Sequence, residues 1–199
     1  MSHVLPLGLA AALVMAAAAQ AAPPAAPQSG VYAVEPSHTE VMFGIDHLGF
    51  STYYGQFPGA SGTLTLDANA PAKSALDISI PVASVMTASP KLNEELAGPQ
   101  WLDAGKFPTM TFHATKIVKT GAATADVTGD FTLHGVTRPV TLKATFHGAG
   151  AHPMTKAYTV GFDATGHISR KEYGVSTFEP LLGDDVQLTL SAAFEKKPS

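Results

Sequence analysis

The stretch FTLHGVTRPVTLKATF, residues 131–146, alternates apolar and polar side chains on both sides of a short break. Phe131 and Leu133 share one parity before the break, and the segment from Val140 to Phe146 repeats the alternation after it. This pattern predicts two strands, each with one apolar face and one polar face. Within HGVTRP, Gly135 permits a turn, and Pro139 is tolerated at the start of the next strand, where a missing N–H does little harm. The stretch therefore predicts a β-hairpin.

The same alternation recurs along the chain from Val31 onward and predicts about eight strands in all. Strands that are polar on one face are typical of an antiparallel sheet. Such strands can close into a barrel or stack as a two-sheet sandwich. The further segments are TEVMFGIDH (39–47), SGTLTLD (61–67), SALDISIP (74–81), TMTFHATKIV (109–118), ATADVTGDFTL (123–133), AYTVGFDATGHI (157–168) and DVQLTLSAAFE (185–195).

One segment, SPKLNEELAGPQWLDAGKFP (89–108), departs from this period. Ser89 followed by Pro90 is a typical helix start, and Leu92 and Leu96 share one helical face. Gly98-Pro99 predicts the end of the helix. A short helix in a chain of strands usually covers one end of the sheet. Sandwiches rarely have such a helix, so we predict an all-β fold: an eight-stranded antiparallel barrel with a short helix capping one end.

Composition excludes several classes of function. The 199 residues carry a net charge of −4 with dispersed lysines and arginines, so nucleic-acid binding is not expected. The absence of cysteine excludes disulfides and thiolate chemistry. The eight histidines do not follow metal-ligand spacing. No G-x-S-x-G motif or glycine-rich phosphate loop occurs, so neither a metal, a cofactor nor a catalytic site is predicted, although distant residues could still converge.

The N-terminal segment predicts export. VLPLGLAAALVMAAAA (4–19) is apolar but short for a membrane span, and Ala19-Gln20-Ala21 fits the small-x-small cleavage rule. The segment before it has no Lys or Arg, which leaves an uncleaved anchor or a misplaced start codon as alternatives. We predict a signal peptide (1–21), a flexible leader (22–30), a barrel domain (31–195) and a tail (196–199). The expected location is the periplasm.

Four motifs together resemble the YceI-like family of polyisoprenoid-binding proteins over roughly residues 31–195. They are HTEVMFGIDHLGFSTYYGQF (38–57), WLDAGKFPTMTF (101–112), GDFTLHGVTRPVTL (129–142) and GHISRKEYGV (166–175). The departure is Trp101-Leu102, where the family tends to carry two phenylalanines. The resemblance implies a lipocalin-like barrel whose tunnel holds a long isoprenoid chain.

The apolar faces of the strands have two interpretations: they pack against each other in a solid core, or they line such a tunnel. The resemblance favours the tunnel. The residues then expected to contact ligand are Val41, Phe43, Ile45, His47, Phe50, Tyr53, Phe57, Leu64, Leu92, Leu96, Trp101, Phe112, Phe131, Leu142, Phe146, Phe162, Ile168, Arg170 and Leu188. Small residues on the same parity would leave room in the lumen; they are Gly62, Ala144, Ala164 and Ala192.

Three details of this site stay open at the sequence level. Phe50, Tyr53, Tyr54 and Phe57 could form the mouth of the tunnel or simply an aromatic strand and turn. His47 could bond a quinone or alcohol headgroup or be a structural histidine. Arg170 could meet a headgroup, or pair with Glu172 or with turn carbonyls.

The predicted function is non-catalytic binding, sequestration or transport of a polyisoprenoid-type lipid, such as a quinone or polyprenyl chain. Fatty acids and fatty amides would also suit the lining, and transient membrane contact is expected. A lipid hydrolase or isomerase and an interaction barrel without ligand are the alternatives. The oligomeric state and the lipid's identity do not follow from the sequence.

Overall fold

The computed structural model describes residues 25–198. The predicted signal peptide lies outside these residues, as do residues 22–24 and 199. Ten strands and one α-helix, α1 (Pro90–Ala97), form a single sheet-based domain. The strands are β1 (Gly30–Val34), β2 (Glu40–His47), β3 (Ser51–Gln56), β4 (Ser61–Leu66), β5 (Ala75–Pro81), β6 (Thr109–Lys119), β7 (Thr124–Leu133), β8 (Val136–Ala151), β9 (Tyr158–Ser169) and β10 (Leu182–Lys196).

Eight of these strands close into an antiparallel ring in the order β1-β4-β5-β6-β7-β8-β9-β10, with β10 pairing back onto β1. The length of β10 makes this closure possible. Its last residues pair with β1, with Phe194 opposite Val34, and its earlier residues pair with β2, with Leu190 opposite Val41. The predicted all-β barrel with a short helix is therefore confirmed.

The strand that closes the ring was not among the strand segments predicted from the sequence. Residues 30–34 form a separate strand that closes the barrel, whereas β2 continues along the same edge of β10 and pairs outward with β3. A short 3₁₀ turn at Pro36–His38 separates β1 from β2. Alternation within 39–47 predicts a strand but carries no information about which neighbour that strand meets, so this assignment came only from the structure.

The β7–β8 hairpin closes through a two-residue turn, in which His134 and Gly135 both have left-handed backbone (φ 51° and 75°). Strand β8 begins immediately, at Val136, so Pro139 lies inside the strand rather than at its start. Pro139 faces Asp130 of β7, and β8 does not pair with β9 until Lys143. Because the other edge of β8 is free at this level, proline's missing N–H costs no ladder hydrogen bond.

Helix α1 forms as the sequence predicts. The Ser89 hydroxyl accepts a hydrogen bond from the Leu92 N–H (3.4 Å), and the Gly98 N–H closes the last turn on the Glu95 carbonyl (3.0 Å). Leu96 packs against the apolar cluster of the barrel. Among residues 25–198, no helix has the length and apolar character needed to cross a membrane.

The described part of the leader is attached to the barrel. Gly30 already belongs to β1, and the Gln28 carbonyl accepts a hydrogen bond from the Tyr32 hydroxyl (2.6 Å). The Ser29 hydroxyl accepts another from the Ala68 N–H (2.9 Å). Residues 28–30 therefore contact neighbouring strands of the barrel, and the flexibility of the leader stays a prediction.

Candidate functional site

A cavity of about 710 Å³ runs along the barrel axis. On β6 its lining extends from Met110 to Lys119, and on β10 from Leu182 to Phe194. Leu182 and Phe194 are twelve residue steps apart, which is about 40 Å along the strand at about 3.3 Å per step, so the cavity extends along most of β10. Its volume lies within the range of about 300–1,000 Å³ that is usual for small-molecule sites.

The exposed fractions of the side chains along β10 show whether its inner face lines a cavity or packs in a solid core. Gln187 and Thr189 face outward and are exposed, whereas Val186, Leu188 and Leu190 face inward and are only half-buried. In a close-packed interior these side chains would lose almost all accessible surface. Their remaining exposed surface faces the cavity. The choice between a filled and a hollow barrel, left open by the sequence, is thus decided in favour of the hollow one.

Nearly all the predicted ligand-contact residues surround this cavity. The strands β2, β3, β4 and β6 to β10 each supply at least one of them, because alternation points one set of side chains of a strand inward. The residues that line it are Val41, Phe43, Ile45, His47, Tyr53, Phe57, Leu64, Leu92, Leu96, Trp101, Phe112, Phe131, Leu142, Phe146, Phe162, Ile168, Arg170 and Leu188. Their contact with a ligand stays a prediction.

Phe50 is the exception, because it does not line the cavity. It follows a turn in which Leu48 and Gly49 have positive φ (61° and 73°), and its side chain is 87% exposed outside the cavity lining. Tyr54 points to the outer face of β3 and is also exposed. The alternation of β3 brings Tyr53 inward instead, while Phe57, after the strand, is buried against the core.

Small residues make room for the cavity on neighbouring strands. Ala144 on β8 lies opposite Ala164 on β9, and both line the cavity together with Ala192. Gly62 does not line it. A Cβ at Gly62 would overlap the Asp77 carbonyl of the adjacent strand, so close backbone approach, rather than lumen volume, requires this glycine.

Arg170 is the one buried charged residue of the lining within the described chain, with 4% of its surface exposed. It begins a short 3₁₀ turn after β9. Its guanidinium donates hydrogen bonds to backbone carbonyls of the loop after the turn and of the first residues of β10. The acceptors are Gly183 (2.8 Å), Val175 (3.0 Å), Thr177 (2.9 Å) and Leu182 (3.2 Å). Of the alternatives for Arg170, the structure brings it together with turn carbonyls and not with Glu172.

His47 and Trp101 lie near the same end of the barrel as Arg170. His47 is exposed at the end of β2, opposite Leu182, and its ring is 5.9 Å from that of Tyr53. Trp101 follows α1, is 7% exposed, and its ring centre is 5.9 Å from the Arg170 Cζ. His47 is therefore not a buried, internally satisfied histidine.

Part of the lining comes from loops that strand periodicity does not reveal. Leu48, Phe178 and Leu181 line the cavity at this end and are 44%, 58% and 62% exposed. The Leu48 N–H donates to the Leu181 carbonyl (3.2 Å), which joins the β2–β3 turn to the loop before β10. The signal in the sequence was the cluster of apolar residues in STFEPLL (176–182), in a segment without alternation.

Three further histidines lie away from the cavity. His113, His147 and His167 project from the outer face, where each contacts an aspartate of the adjacent strand: Asp77, Asp163 and Asp185 respectively. No group of three potential ligands close enough to hold a metal ion occurs within residues 25–198.

The model of the YceI-like domain matches residues 32–194, which is nearly the whole barrel. This chain belongs to the YceI-like family. A UPF0312 protein of Pseudomonas savastanoi is 38% identical over 141 residues, which cover 71% of this chain and 73% of the relative.

Three solved structures superpose on this one. BcnA of Burkholderia cenocepacia has a TM-score of 0.73 at 26% identity and covers 80% of this chain and 98% of its own. The YceI protein of Campylobacter jejuni has a TM-score of 0.69 at 29% identity, covering 77% and 90%. A polyisoprenoid binding domain of Saccharophagus degradans has a TM-score of 0.64 at 12% identity, covering 85% and 100%, and shares the fold.

Proposed function

We propose that this protein binds and carries a long-chain, polyisoprenoid-type lipid without chemically changing it. The observation that carries the proposal is the lengthwise apolar cavity, whose half-buried lining offers a long chain contacts on all sides. Family membership supports it, and so does the fold shared with a domain that is itself described as polyisoprenoid-binding. A quinone or a polyprenyl chain is the proposed cargo.

The energetics of such a cavity suit exchange with a membrane. Removing an alkyl chain from water is favourable by about 0.8 kcal/mol per CH₂. A lipid that arrives from a bilayer is already out of water, so the cavity and the bilayer compete on nearly equal terms. Fit and contacts at the polar end then decide the direction of transfer. Near balance allows both loading and release.

The charges of the lining argue for a non-catalytic role. Glu40, Glu95 and Lys119 line the cavity from exposed positions at its edges, and Arg170 is bound to carbonyl groups. Within the described residues, no serine–histidine or histidine–carboxylate pair faces the lumen. His113, His147 and His167, each paired with an aspartate, project from the outer face. Turnover of a bound lipid that depends on one of these lining residues would instead support an enzyme.

We further propose that loading takes place at a membrane surface and in the periplasm. Leu48, Phe178 and Leu181 form an exposed apolar rim at the end of the cavity near Arg170. Apolar rim residues beside a lipid cavity are suited to brief contact with a bilayer, from which an apolar chain would pass directly into the lumen. The N-terminal sequence supports export, since residues 4–21 have the features of a cleaved signal.

The decisive experiment is to identify what the native protein carries. The full chain is expressed in its own host, purified without detergent, extracted with organic solvent and analysed by mass spectrometry. We expect an apolar ligand in stoichiometric amount. An outer-face variant, Thr145→Phe, should carry the same ligand, and Ala144→Phe should carry far less. Repeated recovery of protein without lipid from the native host would refute carriage.

A further inference from the structure

At the end of the cavity beside Arg170, some N–H groups have no hydrogen-bond acceptor within residues 25–198. A guanidinium has five N–H donors. In Arg170, Nε donates to Gly183, Nη1 donates to Val175 and Thr177, and Nη2 donates to Leu182. These four hydrogen bonds leave one N–H of Nη2 without a partner among residues 25–198.

The charge of Arg170 is also uncompensated. Arg170 forms no ion pair within residues 25–198, although it is 96% buried, being 4% exposed. The carboxylates of the neighbouring loop are engaged elsewhere: Asp184 and Glu179 pair with the Lys171 ammonium at 3.3 and 3.6 Å. Carbonyl oxygens satisfy hydrogen bonds but do not cancel a full charge. A buried cation of this kind favours a negative or partly negative group close to it.

Trp101 supplies an independent observation at the same place. Its indole Nε1 is buried and has no hydrogen-bond partner in the described chain, although the residue lines the cavity. The centre of the indole ring is 5.9 Å from the Arg170 Cζ and 6.0 Å from the centre of the Phe178 ring. Buried N–H groups are rarely left unpaired in folded proteins. The Nε1 atom itself has almost no accessible surface, so a ligand oxygen would reach this orphan donor only if the indole turned slightly towards the lumen.

We propose that Trp101 and Arg170 form a subsite for the polar end of the lipid, and that this end is an oxygen acceptor with partial or full negative charge. The indole N–H would donate to the oxygen, and the guanidinium would supply positive charge and its spare N–H. A carboxylate, a phosphate or a quinone carbonyl has this chemistry. The chain of the lipid would then extend from this end along the barrel axis. The inference rests on the proposed lipid binding and adds the orientation and headgroup class of the cargo.

The chain offers a built-in reporter for this subsite, because Trp101 is its single tryptophan. The probes are farnesoic acid, farnesol and farnesene, which share one isoprenoid chain and differ at its end; each is delivered from cyclodextrin to delipidated full-length protein. We expect farnesoic acid to shift the Trp101 emission and to bind at least tenfold more tightly than farnesene. Farnesol should fall between them if partial charge suffices, and near farnesene if full charge is required.

Affinities of variants are measured by isothermal titration calorimetry, which does not depend on the tryptophan. Trp101→Phe removes the N–H and keeps an aromatic ring, so farnesoic acid should bind about tenfold more weakly while farnesene changes little. Phe178→Leu is the matched control: it alters the other neighbour of the indole without removing a polar atom and should change both affinities by the same factor.

The outcomes separate this inference from the proposed function. If Trp101→Phe leaves the ratio of the two affinities unchanged while farnesene still binds, the protein binds lipid but the subsite is refuted. If none of the three probes binds the native sequence, both the subsite and lipid binding are refuted. A Trp101 emission that responds to farnesene as strongly as to farnesoic acid also contradicts the subsite.

Discussion

Filling the cavity from within is the sharpest test of the hollow barrel. Ala144 of β8 faces the lumen of the barrel and lies opposite Ala164 of β9. The next residue, Thr145, is exposed on the outer face. In Ala144→Phe, the new ring enters space that the protein itself does not fill. Burying a phenylalanine side chain is favourable by about 1.5–3 kcal/mol, so the free energy of unfolding of the lipid-free protein should rise by about 1 kcal/mol after some strain is deducted.

The same ring should displace part of the ligand. If it excludes about three or four methylene groups of a bound chain, the loss is about 2.5–3 kcal/mol, which is about a hundredfold in affinity. The assays are urea unfolding of delipidated protein and isothermal titration calorimetry with farnesol. Thr145→Phe places the same side chain outside and should leave the affinity within about twofold. Overpacking of a filled core would instead destabilise Ala144→Phe by about 1–3 kcal/mol, and that result would refute the reasoning.

Three further predictions concern the structure around the site. Arg170→Met leaves four loop carbonyls without their donor and should cost about 3 kcal/mol in urea unfolding, whereas Lys171→Met, at an exposed neighbour, should change stability little. Burial raises the pKa of Tyr173 to about 12 from 10.0, so the stability gained from its neutral phenol is complete below about pH 10 and lost as the pH rises towards 12. Absorbance at the phenolate band should show a late ionisation that Tyr173→Phe abolishes; an ordinary titration in the folded protein would contradict this. Gly135→Ala should destabilise the protein by more than about 1 kcal/mol, because φ is 75° and the new Cβ would meet the Phe107 ring; Thr137→Ala, in the same hairpin, is the control.

Tyr173→Phe carries a second expectation that follows from hydrogen bonding. The Tyr173 hydroxyl is buried without a partner within the described residues, and its ring packs edge-on against Phe131. Removing an unsatisfied polar atom while keeping the ring costs no hydrogen bond. At neutral pH the variant should therefore be as stable as the original protein or slightly more so. A loss above about 1 kcal/mol in thermal or urea unfolding would contradict the absence of a partner.

The orientation of the strand residues could be predicted from the sequence because a strand has a period of two. Once Leu188 was assigned to the apolar face of its segment, Val186 and Leu190 followed, and all three line the cavity. Helix α1 could be predicted for a similar reason, since Ser89, Pro90 and Gly98 are signals within a few residues of each other. The direction of Phe50 could not be predicted in this way, because the positive-φ turn before it, and not alternation, sets that direction.

The alternating sequence by itself determined that the chain forms an antiparallel sheet with one apolar face, and the resemblance of its motifs gave the family. Only the tertiary structure decided three further points: that β10 closes the ring on β1, that the lumen is hollow, and that Trp101 meets Arg170 at its end. The physical reason is the separation along the chain of the residues that interact. Alternation, caps and turns depend on neighbours along the chain, whereas ring closure, cavity volume and an unpaired indole N–H depend on residues that are far apart in sequence and meet only when the sheet closes.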